Sequence, residues 1–168
     1  SYGLDFSRNF REFLGRFVDV SAAVRQEMVD CGSLIMKRKP ALRDLTMDHL
    51  VSRLRDLEAE VRQNTLQHLL EIAIDDPSRL SEAAIVEMGA RVRDRRVDIR
   101  KAAMIGLSKM YNRHVSAVLP ELTSLRDWRS VGPQAVAPNV LARLRIVPGL
   151  VLNCWSYQEL TVKHLVLN

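Results

Sequence analysis

The sequence predicts an all-α fold of stacked helix pairs, and three observations carry that prediction. Aromatic residues make up only 5% of the 168 residues, whereas strands are enriched in them. The apolar share of 47% comes mostly from Leu, Val, Ala, Ile and Met, and 7 Gly and 6 Pro give little of the punctuation that many short strands require. The third observation is a segment that recurs three times at constant phase.

That segment begins at Arg16, Arg53 and Arg91. Each copy reads Arg, apolar, any residue, Asp, four variable residues, Val or Ile, Arg, polar. The Asp residues are Asp19, Asp56 and Asp94, and the Val/Ile positions are Val24, Val61 and Ile99. Spacings of 37 and 38 residues match the roughly 40 residues of a two-helix HEAT unit. The expected architecture is therefore a HEAT-repeat α-solenoid, an α-α superhelix in which each unit buries its apolar faces against its neighbours.

The elements follow in order. The first unit, residues 1–38, opens with an apolar face of Phe10, Phe13, Leu14 and Phe17. A tight turn at Asp19 leads to a second helix. There the Asp carboxylate can accept from the N–H groups left unpaired at the helix start, and its charge suits that end of the dipole. Val24, Met28, Cys31 and Ile35 would then face the core at helical spacing. The second unit, 41–76, follows the break at Pro40, with a first helix from about Met47 to Leu54 and core positions Val61, Thr65, Leu69 and Ile72. Asp76-Pro77-Ser78 separates it from the third, 77–114. That unit's first helix covers Leu80 to Val92, and its second carries Ile99, Ala103, Leu107 and Met110. Gly89 inside a helix costs about 1 kcal/mol relative to Ala and is tolerated where helices approach closely. Residues 115–139, with Gly132, Pro133 and Pro138, read as an irregular loop or insertion. Residues 140–168 read as further, incomplete solenoid, with Pro148 opening one helix and Gln158 to Leu167 forming another.

Arg25, Arg62 and Arg100 follow the core Val/Ile positions and can pair with the Asp of an adjacent repeat. Asp19, Arg25, Asp56, Arg62, Asp94 and Arg100 are thus expected to form a structural ladder.

Composition excludes several classes of function. No run of 18 apolar residues exists, so no membrane span is predicted. The chain lacks an initiator Met and stops inside Leu165-Val166-Leu167, so both ends read as cuts in a longer polypeptide. Two cysteines, Cys31 and Cys154, are too few for a disulfide framework or a zinc site. Cys31 is expected in the core as a reduced thiol of a cytosolic or nuclear protein. The phosphate-loop, nucleophile-elbow and His-Glu-x-x-His patterns are missing. His49, His68, His114 and His164 are dispersed, without carboxylate or thiol partners at ligand spacing. No catalytic residue, metal or cofactor is therefore assigned.

The net charge of +5 permits an acidic partner without demanding one. Its densest feature is the third turn, where Arg91, Arg93, Arg95, Arg96, Arg100 and Lys101 surround only Asp94 and Asp98. Two readings stay open: a docking site for an acidic peptide, phosphorylated ligand or nucleic-acid backbone, or a solvated turn with ladder arginines. The absence of interleaved aromatics argues against base stacking.

Phe13-Leu14-Gly15-Arg16-Phe17, followed by Asp19 and Val24-Arg25, resembles the opening of the central HEAT region of the Pds-Five family, the cohesin-associated sister-chromatid cohesion proteins. The resemblance continues through Arg43-Asp44-Leu45-Thr46, Asp94-Arg95-Arg96, the Arg100-Lys101-x-Ala103-Met104-x-Gly106-Leu107 block and Tyr111. It returns at Ile146-Val147-Pro148-Gly149 and departs at Val97, where the family has Trp. The resemblance implies a nuclear, chromatin-associated, non-catalytic scaffold that docks the kleisin subunit of cohesin. Such a scaffold recruits a Wapl-type release factor or the cohesin acetyltransferase, with at most an indirect or weak contact with DNA. The repeat alone would also suit another HEAT adaptor, of the nuclear-transport or phosphatase-scaffold type.

Overall fold

The structure, a computed structural model, describes residues 2–123 and 138–152. All regular elements among these residues are helical. They are α1 (Tyr2–Gly15), α2 (Ala22–Arg38), α3 (Arg43–Arg53), α4 (Ala59–Asp75), α5 (Glu82–Ala90), α6 (Val97–Thr123) and α7 (Pro138–Leu152). Short 3-10 turns at Arg16–Val18 and Arg91–Arg93 continue the ends of α1 and α5, and others at Pro40–Leu42 and Pro77–Arg79 precede α3 and α5. The helix pairs α1/α2, α3/α4 and α5/α6 correspond to the three copies of the repeat. The chain divides into two compact units, Ser1–Leu69 and Leu70–Asn168.

In the first unit Phe17, Leu50, Leu54, Val61, Leu66 and Leu69 are completely buried. Gly32 lets α2 approach them closely. A Cβ at that position would lie 2.8 Å from the Phe17 ring and 3.1 Å from Leu50. The face that α2 turns inward is Met28, Val29, Gly32, Ser33 and Met36. This corrects the expectation for Cys31, which is exposed. The apolar residues of α2 fit two adjacent stripes about 100° apart, and the small Gly32–Ser33 pair, which admits Phe17, selects the other one. The hydroxyls of Thr46 and Thr65 enter the core by donating to the carbonyls four residues back, Leu42 and Val61.

In the second unit Ile72, Leu80, Ile85, Met88, Ile99 and Leu107 are completely buried. Ser81 caps α5, accepting from the Ala84 N–H at 3.1 Å. Helix α7 packs on α5 and α6, where Leu150 meets Gly89, and the Arg143 guanidinium donates to the Leu80 carbonyl.

Three element boundaries differ from expectation. Helix α3 starts at Arg43, ahead of Met47, because Pro40 opens a 3-10 turn that leads directly into it. Helix α6 continues to Thr123 through part of the stretch expected to be irregular. Val115 to Leu119 holds no Gly or Pro to stop propagation, and Pro120 falls only in the last turn of the helix. Pro148 lies inside α7, which begins at Pro138. It forfeits one backbone bond, but the face of Leu144 and Val147 runs on to Leu150 and keeps the helix packed. Residues 124–137 and the expected helix at 158–167 lie outside the described residues.

Candidate docking site

The recurring motif builds the same local structure three times, and each of its fixed positions has one role. Asp19, Asp56 and Asp94 sit three residues ahead of the first residue of α2, α4 and α6. One carboxylate oxygen accepts from the N–H two residues on: Ser21 at 2.9 Å, Glu58 at 3.0 Å and Arg96 at 3.1 Å. This is an Asx turn that aims the chain into the helix from two residues ahead of the N-cap position, where the Asp was expected to cap the helix itself. The leading arginine of each copy pairs with the other carboxylate oxygen: Arg16 with Asp19 at 2.8 Å, Arg53 with Asp56 at 2.8 Å, and Arg91 with Asp94 at 3.3 Å.

The second arginine closes the turn from inside. Arg25 donates to the carbonyls of Asp19 and Val20, Arg62 to those of Asp56 and Leu57, and Arg100 to those of Asp94 and Arg95. Two carbonyls that would otherwise point away from any partner are satisfied in this way. Arg25 also reaches the next turn and grips both oxygens of Asp56, each at 2.8 Å. Burial would raise the Asp56 carboxyl, but the Arg25 hydrogen bonds, the Glu58 N–H and the charges of Arg25 and Arg53 outweigh it. The group titrates below the ordinary carboxylate range. The Asp56 hydrogen bond in turn raises Arg25. The sequence pointed to an Asp–Arg pair between adjacent repeats, and Arg25 with Asp56 makes one. The carbonyl clamp it missed, and its signal was the constant six-residue step from Asp to Arg.

These roles divide the basic third turn. Arg100 is 6% exposed and held by its own turn's carbonyls, and the Arg91 side chain is largely covered beside Asp94. Arg96 is exposed and pairs with Asp98 at 2.9 Å, holding that carboxyl low through its hydrogen bond. Arg93 and Arg95 are exposed and Lys101 is half-buried. The outward basic surface is therefore Arg93, Arg95, Arg96 and Lys101.

A Ser–His–Asp hydrogen-bond chain is also present. The Ser33 hydroxyl lies 3.1 Å from His68 Nδ1, and His68 Nε2 lies 2.7 Å from Asp30 Oδ1, which also accepts from Asn64 at 2.9 Å. The sequence reading sought histidine partners only at metal-ligand spacing, so it did not anticipate this contact. Asp30 and His68 are 38 residues apart, one repeat period, so the contact forms only when α2 and α4 lie side by side. The arrangement runs opposite to a hydrolase triad, since Ser33 is 1% exposed while Asp30 faces solvent. Its chemistry is that of a polar clip between helices. Among the described residues no group of His, Cys, Asp or Glu could hold a metal, and no helix is long and apolar enough to cross a membrane.

Comparison with known proteins gives consistent relatives. The profile of the family described as "Sister chromatid cohesion protein PDS5 protein" matches residues 3–167. Sister chromatid cohesion protein pds5 of Schizosaccharomyces pombe is 30% identical over 113 residues, 65% of this chain and 9% of that protein. Sister chromatid cohesion protein PDS5 homolog A of Homo sapiens is 32% identical over 103 residues, 61% of this chain and 8% of that protein. The chain thus spans under a tenth of the curated relatives it matches. A solved chain from "Structure of the Pds5-Scc1 complex and implications for cohesin function" superposes with a TM-score of 0.73 at 13% identity, covering 95% of this chain and 22% of that one. At that identity the likeness establishes the HEAT-repeat α-solenoid fold.

Proposed function

The chain belongs to the sister chromatid cohesion protein PDS5 family, and on that premise we propose that it is part of a non-catalytic scaffold regulating cohesin on chromatin. It acts by docking the kleisin subunit and so influences whether cohesion is maintained or released. The observation that carries the reading is the family match over residues 3–167, nearly the whole chain. The solved relative described with Scc1 supports a kleisin as the partner. Recruitment of a Wapl-type release factor and of a cohesin acetyltransferase, and residence in the nucleus on chromosomes, belong to the same proposal. A transport or phosphatase adaptor would share the fold but is not favoured by the family match.

The mechanism is competitive docking on a helical surface. We place one docking contact at the outward cations of the third turn, Arg93, Arg95, Arg96 and Lys101. A carboxylate-rich segment would be attracted there, and the attraction would weaken with salt. The test is a pull-down of a Scc1-type kleisin fragment by the full-length protein, with Arg93→Glu/Arg95→Glu as the variant. Binding by wild type and its reduction in the folded variant support the proposal. Failure of the wild type to bind overturns the kleisin reading. Unchanged binding by the variant makes the third turn a solvated surface.

A further inference from the structure

We propose that the outward face of α6, along Val97, Lys101, Ile105 and Lys109, docks an acidic amphipathic helix of a partner protein. This goes beyond the kleisin reading and shares only Lys101 with the third-turn contact.

The repeat leaves this face free to vary. Counted from the Val/Ile position of the motif, Lys101, Ile105 and Lys109 stand where α4 has Gln63, Gln67 and Glu71. Those three α4 residues are exposed, as are Ile105 and Lys109, while Lys101 is half-buried. A helix pair of this repeat is thus built with polar residues at these positions, and α6 departs from it with two lysines and an isoleucine. Ile105 is 42% exposed, and Val97, eight residues before it, is 45% exposed. Steps of four residues keep all four side chains on one stripe of the helix.

The charge on this stripe is unopposed. Among the described residues the side chains of Arg95, Lys101 and Lys109 have no hydrogen-bond or ion-pair partner. Between Asp98 and Glu121 α6 carries no acid. The described acids of the second unit are engaged elsewhere. Asp98 is held by Arg96, Asp94 by Arg91, and Asp75 and Asp76 by Arg79. Glu71 and Glu87 have contacts of their own, and Glu82 sits in the first turn of α5, where it suits the helix dipole. Carboxylates from a partner are the missing counterions.

Geometry selects a helix as their carrier. A helical surface offers no free backbone N–H or C=O to pair with an extended strand. A helix needs none, and it repeats its side chains at the same step of about 6 Å per four residues as Lys101, Ile105 and Lys109. A face reading acid, aliphatic, acid at that spacing sets a carboxylate on each lysine and covers Ile105. A nucleic acid would neutralise the lysines through its phosphates and leave Val97 and Ile105 uncovered. The same face of a second copy would set lysines against lysines.

The test is fluorescence anisotropy with the full-length protein and a labelled synthetic peptide. The peptide has about twenty residues, long enough to be helical in water, with Glu, Leu and Glu at four-residue spacing on one face. Three control peptides replace the Leu by Ser, the Glu residues by Lys, or a central residue by Pro. The variant is Ile105→Gln/Lys109→Glu, which copies the residues that α4 carries at the same positions and so suits the helix pair; circular dichroism checks its folding. Saturable binding that weakens with salt is expected, with the variant and each control peptide weaker by about tenfold or more, in keeping with the burial of one apolar side chain. Absence of saturable binding, equal binding of the Lys peptide or the Pro peptide, or indifference to the double variant overturns the proposal. A duplex DNA that binds the wild type, loses affinity in the variant and finds no peptide competing overturns it in favour of nucleic acid. Self-association of the wild type that the variant abolishes overturns it in favour of a second copy. The same variant enters the kleisin pull-down. Retained kleisin with lost peptide establishes a separate partner for α6, and loss of both identifies the kleisin as the source of the helix. A wild type that ignores kleisin but binds the peptide overturns only the kleisin reading.

Discussion

Arg25 holds both carboxylate oxygens of Asp56 at 2.8 Å across 31 residues of sequence, joining the turn of the first helix pair to the turn of the second. The Asp56 side chain is 2% exposed and Arg25 is 11% exposed, so the pair is shielded from solvent. Removing one partner leaves the other charge without its counterion. Asp56→Ala is expected to lower the unfolding free energy by about 3 kcal/mol or more. Arg25→Lys should recover little, because an ammonium cannot make the two-pronged contact and reach the Asp19 carbonyl as well. Urea unfolding followed by circular dichroism measures both, and a loss below about 0.5 kcal/mol for Asp56→Ala would show that the rung is ornamental.

The same pair sets a pH dependence. The Asp56 carboxyl is depressed in the folded protein, so its contribution is fully present above the unfolded-state value of about 3.9. It is lost as pH falls below that value through the lower folded one. The stability gap between wild type and Asp56→Asn should therefore be constant from pH 7 to about 5 and shrink toward pH 2. Denaturation curves for the two proteins at matched pH test this, and a gap that widens on acidification contradicts it.

Glycine substitutions should divide by site. Gly32→Ala places a Cβ 2.8 Å from the Phe17 ring and 3.1 Å from Leu50, both fully buried, so the core must shift. The overpacking cost of about 1–3 kcal/mol exceeds the helix-propensity gain of about 1 kcal/mol. Gly15 has open space around the same atom and right-handed helical backbone angles. Gly15→Ala is expected to be neutral or stabilising by about 0.5 kcal/mol. Thermal melts of the two variants should move in opposite directions or, at Gly15, stay put.

His68→Ala deletes the middle of the Ser33–His68–Asp30 chain and strands a buried hydroxyl. The expected loss is about 1–3 kcal/mol. Adding Ser33→Ala removes the stranded group and should return part of that loss. A double variant no more stable than His68→Ala alone would mean that Ser33 finds another partner.

Much of this protein was determined by its sequence alone. The three phased Asp and Val/Ile-Arg steps were enough to require helix pairs, to place Val61, Leu69, Ile72, Ile99, Ala103, Leu107 and Met110 in the core, and to suggest an Asp–Arg rung between repeats. Local chemistry explains this, because an Asx turn and a 3.6-residue period act within a few positions of the chain. Tertiary structure decided what depends on how neighbouring helices pack. It turned Gly32 rather than Cys31 inward, because Phe17 needed a seat without a side chain. It brought Asp30 and Ser33 to His68, a contact between helices. It divided six basic residues of one turn into Arg91 and Arg100, which hold the turn together, and Arg93, Arg95, Arg96 and Lys101, which are left toward solvent. Charge counts are blind to that division, since a guanidinium is assigned by the carbonyls and carboxylates that packing brings within its reach.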